Sequence, residues 1–237
     1  MIPTVVGYHA WAHVRIVADF TTTYSRTKSA NSSPNYWFEE LMPIEFLLTI
    51  LLSYLVGSIN SAIIYSKIKG LPDPRSKGSN NPGATNIYRI AGKHAAIMVL
   101  IFDVFKGILP TWGSYYLGFE NYQIGVVAIA CCLGHMYPVF FQFQGGKAVA
   151  TAFGCLLPVG LSLGASLLAI WLLVFRVTGY SSLSAIVSVA CSPLLTYFIS
   201  PKYTLAVTML AILIIVRHSP NIIRLLSGKE PKSRLRL

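Results

Sequence analysis

Charged residues are scarce in this chain of 237 residues, and carboxylates are the scarcest of them. Charged residues make up 11% of the chain, with 8 Asp and Glu against 19 Lys and Arg. From Met42 onward the carboxylates are Glu45, Asp73, Asp103, Glu120 and Glu230. A mechanism that depends on paired carboxylates is therefore not expected.

The sequence also lacks the signatures of a metal or disulfide site. Its 4 cysteines all fall in apolar segments, without a Cys-x-x-Cys pair or a histidine at metal-ligand spacing. We interpret them as small packing residues and predict no metal and no cofactor. These cysteines are Cys131, Cys132, Cys155 and Cys191.

Long apolar runs take the place of charge, since 54% of the residues are hydrophobic. A transmembrane helix needs about 20 apolar residues, and most of the runs approach that length. They predict an all-α integral membrane protein with seven transmembrane helices in a membrane domain at 42–230. The runs are 43–66, 94–118, 123–141, 148–157, 160–175, 181–199 and 203–216, of which 148–157 is the shortest.

The basic residues predict the orientation of this domain. They concentrate in the 67–93 loop and after residue 216, while the alternate loops carry little charge. Because loops rich in Lys and Arg stay in the cytoplasm, the C-terminus is predicted to be cytoplasmic and the start of the first helix to lie outside. The net charge of +11 is therefore attributed to basic residues in cytoplasmic loops, and no nucleic-acid partner is expected.

The two ends of the chain differ from the membrane domain. Residues 1–41 contain no span and no signal-peptide core, and Met42 directly precedes the first apolar run. We expect 1–41 to be a dispensable N-terminal extension or the product of an upstream start codon. Residues 231–237 form a basic cytoplasmic tail.

The first of three polar clusters runs from Gly78 to Asn86 with the sequence GSNNPGATN, between Arg75 and Arg89. Glycines let backbone N–H groups approach a ligand, and short polar side chains and nearby cations complement phosphate. A connecting turn with residues at positive φ is the alternative. The cluster predicts a phosphate site at a membrane surface.

The second cluster runs from Gly134-His135 to Gly145-Gly146-Lys147. A glycine pair at a helix N-terminus offers backbone donors, and Lys147 adds a charge. A nucleotide P-loop is rejected, because Phe141 and Ala148 replace its first glycine and its Ser or Thr. His135 has two readings, as a ligand contact or as a buried histidine that bonds another helix.

The third cluster runs from Val216-Arg217-His218 through Asn221 to Arg224, at the end of the last span. These residues suit a phosphate site, but a basic helix end that reaches the lipid headgroups is also possible. Asp103 and Lys106 lie inside a span, three residues apart, where each charge can offset the other. That pair is open to a structural or a functional reading.

From about Pro43 to Glu230 the ordered motifs resemble the bacterial acyl-phosphate:glycerol-3-phosphate acyltransferase family (PlsY). Besides the three clusters, the resemblance includes Gly57-Ser58 and the segment from Asp103 to Lys106-Gly107. It implies seven transmembrane helices with a periplasmic N-terminus, in the bacterial inner membrane, and a site that faces the cytoplasm. It further implies transfer of a fatty acyl group from acyl phosphate to the 1-hydroxyl of glycerol 3-phosphate, in phospholipid biosynthesis, with a functional link to the enzyme that makes acyl phosphate.

Residue roles follow from this resemblance together with the clusters. We expect direct attack on the acyl phosphate, with the substrate's own phosphate as base and His218 as the alternative base. An organic-phosphate transporter is the second hypothesis and a membrane scaffold the third. The expected catalytic residues are Ser79, Lys147, His218 and Asn221, and the expected substrate-binding residues are Gly78, Asn81, Gly83, Thr85, Asn86, Arg89, His135, Gly145, Gly146 and Arg217.

Overall fold

A computed structural model describes residues 44–233. The predicted extension at 1–41 and the end of the basic tail lie outside these residues. The described part of the chain is helical, which confirms the predicted all-α fold. Its helices are α1 (Ile44–Ser58), α2 (Ser61–Ile68), α3 (Ala84–Tyr116), α4 (Asn121–Met136), α5 (Val149–Leu156), α6 (Leu161–Thr178), α7 (Ser181–Ile199), α8 (Thr204–Arg217) and α9 (Ser219–Leu226), with 3₁₀ turns at Val139–Phe141 and Pro201–Tyr203.

Four stretches of the described chain are long and apolar enough to cross a membrane: α3, Asn121–Phe141, α6 and α7. Two bent pairs raise the number to six if each pair is one span, namely α1 with α2 (42°) and Pro201–Arg217 with α9 (57°). The predicted span at 148–157 corresponds to α5, which has only 8 residues. At 1.5 Å per residue it is about 12 Å long, well short of the roughly 30 Å hydrocarbon core.

Two breaks in the helices were not predicted from the sequence. One lies inside the predicted span 43–66 and the other just before the predicted span 94–118. Asn60 separates α1 from α2, and its Oδ1 caps α2 by accepting the Ile63 N–H at 3.1 Å. Gly92 interrupts α3 with φ 83° and ψ −171°, a conformation that residues with a Cβ rarely adopt. Ala84–Ala91 is therefore a short helical arm of its own. The longer part of α3 begins next to residue 94, where the sequence predicted the span to start.

Small residues let the helices approach closely, as is common inside membranes. A Cβ on Gly57 of α1 would collide with the Cys131 carbonyl of α4, and one on Gly154 of α5 with the Val104 carbonyl of α3. Cys131 has no exposed surface and is a free thiol, as are the buried Cys132 and Cys155. These thiols are packing residues, as predicted.

Contacts between loops define the two ends of the bundle. At one end, the Ser200 hydroxyl donates to the Val159 carbonyl at 3.2 Å, and Phe46 meets Phe119 edge to face at 5.6 Å. The loops at 69–83 and 137–148, the α6–α7 turn and the residues after α8 lie at the opposite end. All three polar clusters of the sequence lie there.

Candidate functional site

Three segments meet at this end of the bundle: the 78–86 loop, the glycine turn (Gly145–Lys147) and the C-terminal segment (His218–Ser233). Arg75, just before the 78–86 loop, donates to the Phe141 carbonyl ahead of the glycine turn at 3.2 Å. Arg89, just after that loop, lies 3.4 Å from the Pro231 carbonyl of the C-terminal segment. Lys147 of the glycine turn bonds Asn221. The predicted clusters are therefore neighbours in space.

Hydrogen bonds from the Asn86 side chain to the backbone stabilise the 78–86 loop. The Asn86 Nδ2 donates to the Pro74 and Lys77 carbonyls, both at 2.9 Å, and its Oδ1 accepts the Ser79 N–H at 2.9 Å. Gly78 has φ +66°, and a Cβ there would collide with this Oδ1. Asn86 was predicted to bind substrate, but its carboxamide is buried and occupied by the loop itself.

Other groups of the loop remain available to a ligand. The Ser79 side chain is half-buried, and its hydroxyl has no hydrogen bond to another described residue. Gly83, two residues after Asn81, is the N-cap of α3 and provides no side-chain hydrogen bond. The first N–H groups of the helix can therefore bind an anion. The Thr85 hydroxyl lies 3.1 Å from that of Ser181 and joins the loop to α7.

Arg75, a cation that flanks this loop, serves to anchor it. Its guanidinium holds both oxygens of Asp73, at 2.7 to 3.1 Å. This hydrogen bonding keeps the pKa of Asp73 below its usual value. Because the same guanidinium also bonds the Phe141 carbonyl, Arg75 ties the loop to the segment that precedes the glycine turn.

The glycine turn docks on the end of α4 rather than presenting free donors. The Gly145 N–H bonds the Met136 carbonyl at 3.2 Å, and the Gly146 N–H bonds the His135 carbonyl at 3.1 Å. Arg217 holds the turn from another side by donating to the Gly146 carbonyl at 3.1 Å and the Gly145 carbonyl at 3.3 Å. The N–H groups of both glycines are thus taken up by α4 carbonyls, and Arg217 holds the turn that carries Lys147.

His135 lies beneath this turn and is only 3% exposed. Its Nδ1 lies 2.8 Å from Lys106 Nζ of α3. The geometry matches the reading of a buried histidine that bonds another helix.

Lys147 and Asn221 belong to a hydrogen-bonded chain that ends on Glu230. Lys147 donates to the Asn221 carboxamide oxygen, and Asn221 donates to Glu230 Oε1 at 2.7 Å. Ser182 donates to the same oxygen at 2.6 Å and Arg224 to Oε2 at 2.7 Å. Burial alone would raise the pKa of Glu230, but these donors keep it below its usual value. Ser182 and Glu230 are site residues that the sequence reasoning missed, whereas Arg224 belongs to the third polar cluster.

Lys147 is surrounded by other positively charged side chains. Burial is the largest cause that lowers its pKa, and Arg224, Arg217 and Arg89 lower it as well. Against the opposing effect of Glu230, these causes together bring the pKa to about 8. The site therefore holds four cations and one carboxylate, Glu230. This excess of positive charge suits it to bind a further anion.

His218 lies in the bend between α8 and α9 and is 2% exposed. Its Nδ1 is 2.8 Å from the Ile214 carbonyl. A carbonyl oxygen only accepts, so Nδ1 carries the proton, and the neutral ring keeps its lone pair on Nε2. His218 therefore has the tautomer that a base acting through Nε2 requires.

The remaining carboxylates of residues 44–233 do not offer a base at this site. Asp73 and Asp103 are paired with Arg75 and Lys106, while Glu45 and Glu120 begin α1 and α4, whose first turns face the opposite end. The described residues hold no group of His, Cys, Asp and Glu that could bind a metal. The site combines cations suited to bind an anion with the neutral ring of His218.

Comparison with known proteins gives a consistent family. The sequence model described as glycerol-3-phosphate acyltransferase matches residues 47–228. Glycerol-3-phosphate acyltransferase of Pseudoalteromonas translucida is 58% identical over 185 residues, which cover 78% of this chain and 91% of the relative. The enzyme of the same name from Idiomarina loihiensis is 54% identical over 184 residues, covering 78% and 94%.

The fold is similar to solved structures as well. A crystal structure of PlsY, described as an integral membrane glycerol 3-phosphate acyltransferase in its glycerol 3-phosphate form, has a TM-score of 0.76 and 36% identity, covering 79% of this chain and 95% of that one. The lysophosphatidic acid form has a TM-score of 0.74 and 34% identity. Together with the sequence matches, this likeness shows that the chain belongs to the glycerol-3-phosphate acyltransferase family.

Proposed function

We propose that this enzyme transfers a fatty acyl group from acyl phosphate to the 1-hydroxyl of glycerol 3-phosphate, giving lysophosphatidic acid and inorganic phosphate. The observation that carries the proposal is the group of four cations at one end of an apolar bundle. Lys147 bonds Asn221, Arg224 bonds Glu230, Arg89 lies beside the Pro231 carbonyl and Arg217 holds the glycine turn. Both substrates carry phosphate, so the site must hold two anions close together. The likeness to a PlsY solved with glycerol 3-phosphate and with lysophosphatidic acid supports the acceptor and the product.

The chemistry of an acyl phosphate supports its choice as the donor. An acyl phosphate is a mixed anhydride with a good leaving group, so its carbonyl can be attacked without a covalent enzyme intermediate. The 1-hydroxyl oxygen forms a bond to the carbonyl carbon, the bond from that carbon to the phosphate oxygen breaks, and inorganic phosphate leaves. Lys147 and the N–H groups at the start of α3 stabilise the negative charge that develops.

The hydroxyl proton must pass to an acceptor. Glu230 receives three hydrogen bonds, which disfavour its protonation. We infer that an oxygen of the departing phosphate takes the proton, while Ser79, Lys147, His218 and Asn221 position the reacting groups. The lone pair on His218 Nε2 makes that ring the alternative base.

The membrane arrangement is part of the proposal. Among the described basic residues, all but Lys106 and Lys202 lie at or near the site end, which favours a cytoplasmic site by the positive-inside rule. We infer seven passes through the bacterial inner membrane, in which α5 and its flanking loops form the fourth. The first described helix then starts on the periplasmic side and the C-terminus is cytoplasmic.

A transporter for organic phosphate is the weaker alternative. Such proteins bind their substrate near the bilayer midplane between repeated halves. Here the phosphate-binding groups converge at one end of the bundle, where a soluble acceptor and a membrane-held donor can meet.

Alternative donors test the proposal directly. Purified protein would be supplied with glycerol 3-phosphate and with acyl phosphate, acyl coenzyme A or an acyl carrier protein thioester of the same chain length. We expect turnover with acyl phosphate and with neither thioester, and we expect it to be at least tenfold lower in Lys147→Ala. Turnover with either thioester would overturn the donor assignment. If acyl phosphate is the donor, a separate enzyme that makes this reactive anhydride must supply it.

A further inference from the structure

Three ionisable side chains lie inside the bundle, away from the cation group at its end. Asp103 and Lys106 of α3 and His135 of α4 are 2%, 7% and 3% exposed. Ionisable groups are costly within a membrane and usually mark a functional role there. The proposed reaction gives neither Asp103 nor Lys106 a role.

The Lys106 ammonium uses all three of its donors. It lies 2.9 Å from Asp103 Oδ1, 2.9 Å from the Ile59 carbonyl and 2.8 Å from His135 Nδ1. An ammonium has no lone pair to offer, so His135 Nδ1 must be the acceptor. In the neutral ring the proton then lies on Nε2.

The Nε2 edge of His135 faces the glycine turn. A Cβ added to Gly146 would collide with that nitrogen, and the Gly146 N–H bonds the His135 carbonyl. The imidazole therefore supports the residue that precedes Lys147. A contact runs from Lys106 through His135 to the backbone of the turn.

We propose that Lys106 is a positioning residue for phosphate binding. By donating to His135 Nδ1 it fixes the tautomer with Nε2 protonated and holds the ring under Gly146, which places the Lys147 ammonium. The role rests on the proposed function of Lys147 in binding phosphate. The competing explanation is that Lys106 only neutralises Asp103.

Removing both charges separates these explanations. Lys106→Met alone leaves Asp103 unpaired and is expected to destabilise the protein, whereas Asp103→Asn with Lys106→Met leaves no buried charge uncompensated. We expect the double variant to insert and unfold like wild type but to show a KM for glycerol 3-phosphate raised at least tenfold, with a smaller change in kcat. A wild-type KM in the double variant would overturn the proposal.

Variants of His135 test whether the effect passes through that ring. His135→Leu should raise KM at least tenfold, whereas His135→Gln, which keeps an acceptor for Lys106 and a donor toward the turn, should raise it clearly less. Adding His135→Leu to the double variant should raise KM no further, because substitutions along one series of contacts do not have additive effects. A further multiplicative rise would contradict action through His135. His94→Gln, at an exposed position of α3, is the matched control and should leave KM unchanged.

A readout without substrate separates this role from the proposed reaction. Nitrogen NMR of ¹⁵N-histidine protein should show His135 as the neutral ring protonated on Nε2, identified by loss of its signals in His135→Gln. The double variant should lose that single-tautomer signature, and its retention would count against the role of Lys106. If acyl phosphate is not the donor, this spectrum and calorimetric binding of glycerol 3-phosphate still decide the matter.

Discussion

At the residue scale, Lys147 connects the glycine turn to the C-terminal segment. It bonds Asn221, whose amide bonds Glu230, and its low pKa reflects burial among arginines. A bound phosphate would supply the negative charge that this environment lacks. The ammonium is therefore poised to gain more from substrate than an exposed lysine would.

Substitution of the cations tests this directly. Lys147→Ala and Arg89→Ala should each lower kcat/KM by tenfold or more, because a hydrogen bond to a charged group contributes about 1.5 to 3 kcal/mol. Lys77→Ala is the control, since Lys77 is an exposed cation beside the same loop, and its activity should stay near wild type. Near-wild-type activity in both site variants, with normal membrane insertion, would remove Lys147 and Arg89 from the phosphate site.

The pKa of Lys147 predicts how binding changes with pH. Burial lowers this pKa from 10.5 to about 8, so the free protein loses the ammonium as the pH rises through about 8. Binding of glycerol 3-phosphate, measured by calorimetry, should weaken above that pH. Lys147→Arg keeps its charge and should flatten the profile between pH 7.5 and about 9.5. An unchanged slope in Lys147→Arg would assign the pH dependence to another group.

His218 decides between the two proton acceptors. If the substrate phosphate is the base, His218→Gln should retain measurable turnover, because a glutamine can still position the reacting groups. If His218 Nε2 is the base, the variant should lose turnover but bind both substrates normally, since the loss falls on the transition state. A dead enzyme with intact binding would overturn the preferred mechanism without changing the family.

Sequence reasoning found residue types more reliably than residue roles. Lys147 and Asn221 were expected at the site and meet there, because charge and motif spacing are visible in sequence. The internal hydrogen bonds of Asn86 were not visible, since they depend on how the loop folds back on α3. Glu230 and its partner Ser182 were missed because the contact joins residues 48 positions apart.

At the element scale, hydropathy located the helices but not their breaks. The predicted run at 181–199 coincides with α7, since an apolar run of that length has few alternatives to a helix in lipid. The separation of α2 from α1 at Asn60 escaped prediction because the apolar character continues across the break. The predicted run 203–216 ends within one residue of the end of α8, but the short helix α9 that follows was not predicted. The short α5 was the weakest feature of the pattern, and in the structure it is too short to span alone.

The break at Gly92 predicts a large effect for a small substitution. Its φ of +83° is strained for any residue with a Cβ, while a Cβ there would meet nothing within 4 Å. Gly92→Ala should therefore destabilise the protein by about 1 to 2 kcal/mol and lower activity by shifting the arm that carries Arg89. Thermal unfolding in detergent and kcat/KM are the measurements.

Gly113→Ala provides the matched control within the same helix. Gly113 lies in α3 with open space around it, so alanine should be neutral or slightly stabilising. Equal destabilisation by both substitutions would show that the backbone conformation at Gly92 is not the cause.

At the scale of the whole molecule, the asymmetry of charge predicts which end faces the cytoplasm. Lys77 is exposed at the site end and Lys202 is exposed at the other. Of the cysteines, Cys131, Cys132 and Cys155 are buried, whereas Cys191 is partly exposed. Cysteine labelling in a Cys191→Ser background can therefore report each end separately.

A membrane-impermeant maleimide should label Lys202→Cys in spheroplasts and Lys77→Cys only in inverted membrane vesicles. The reason is that Lys and Arg are retained on the cytoplasmic side during insertion, and the site end holds nearly all of those among residues 44–233. Permeabilised membranes, in which both cysteines should react, control for access. The reverse pattern would place the phosphate-binding groups outside, where a cytoplasmic supply of acyl phosphate could not reach them, and would refute the proposed orientation.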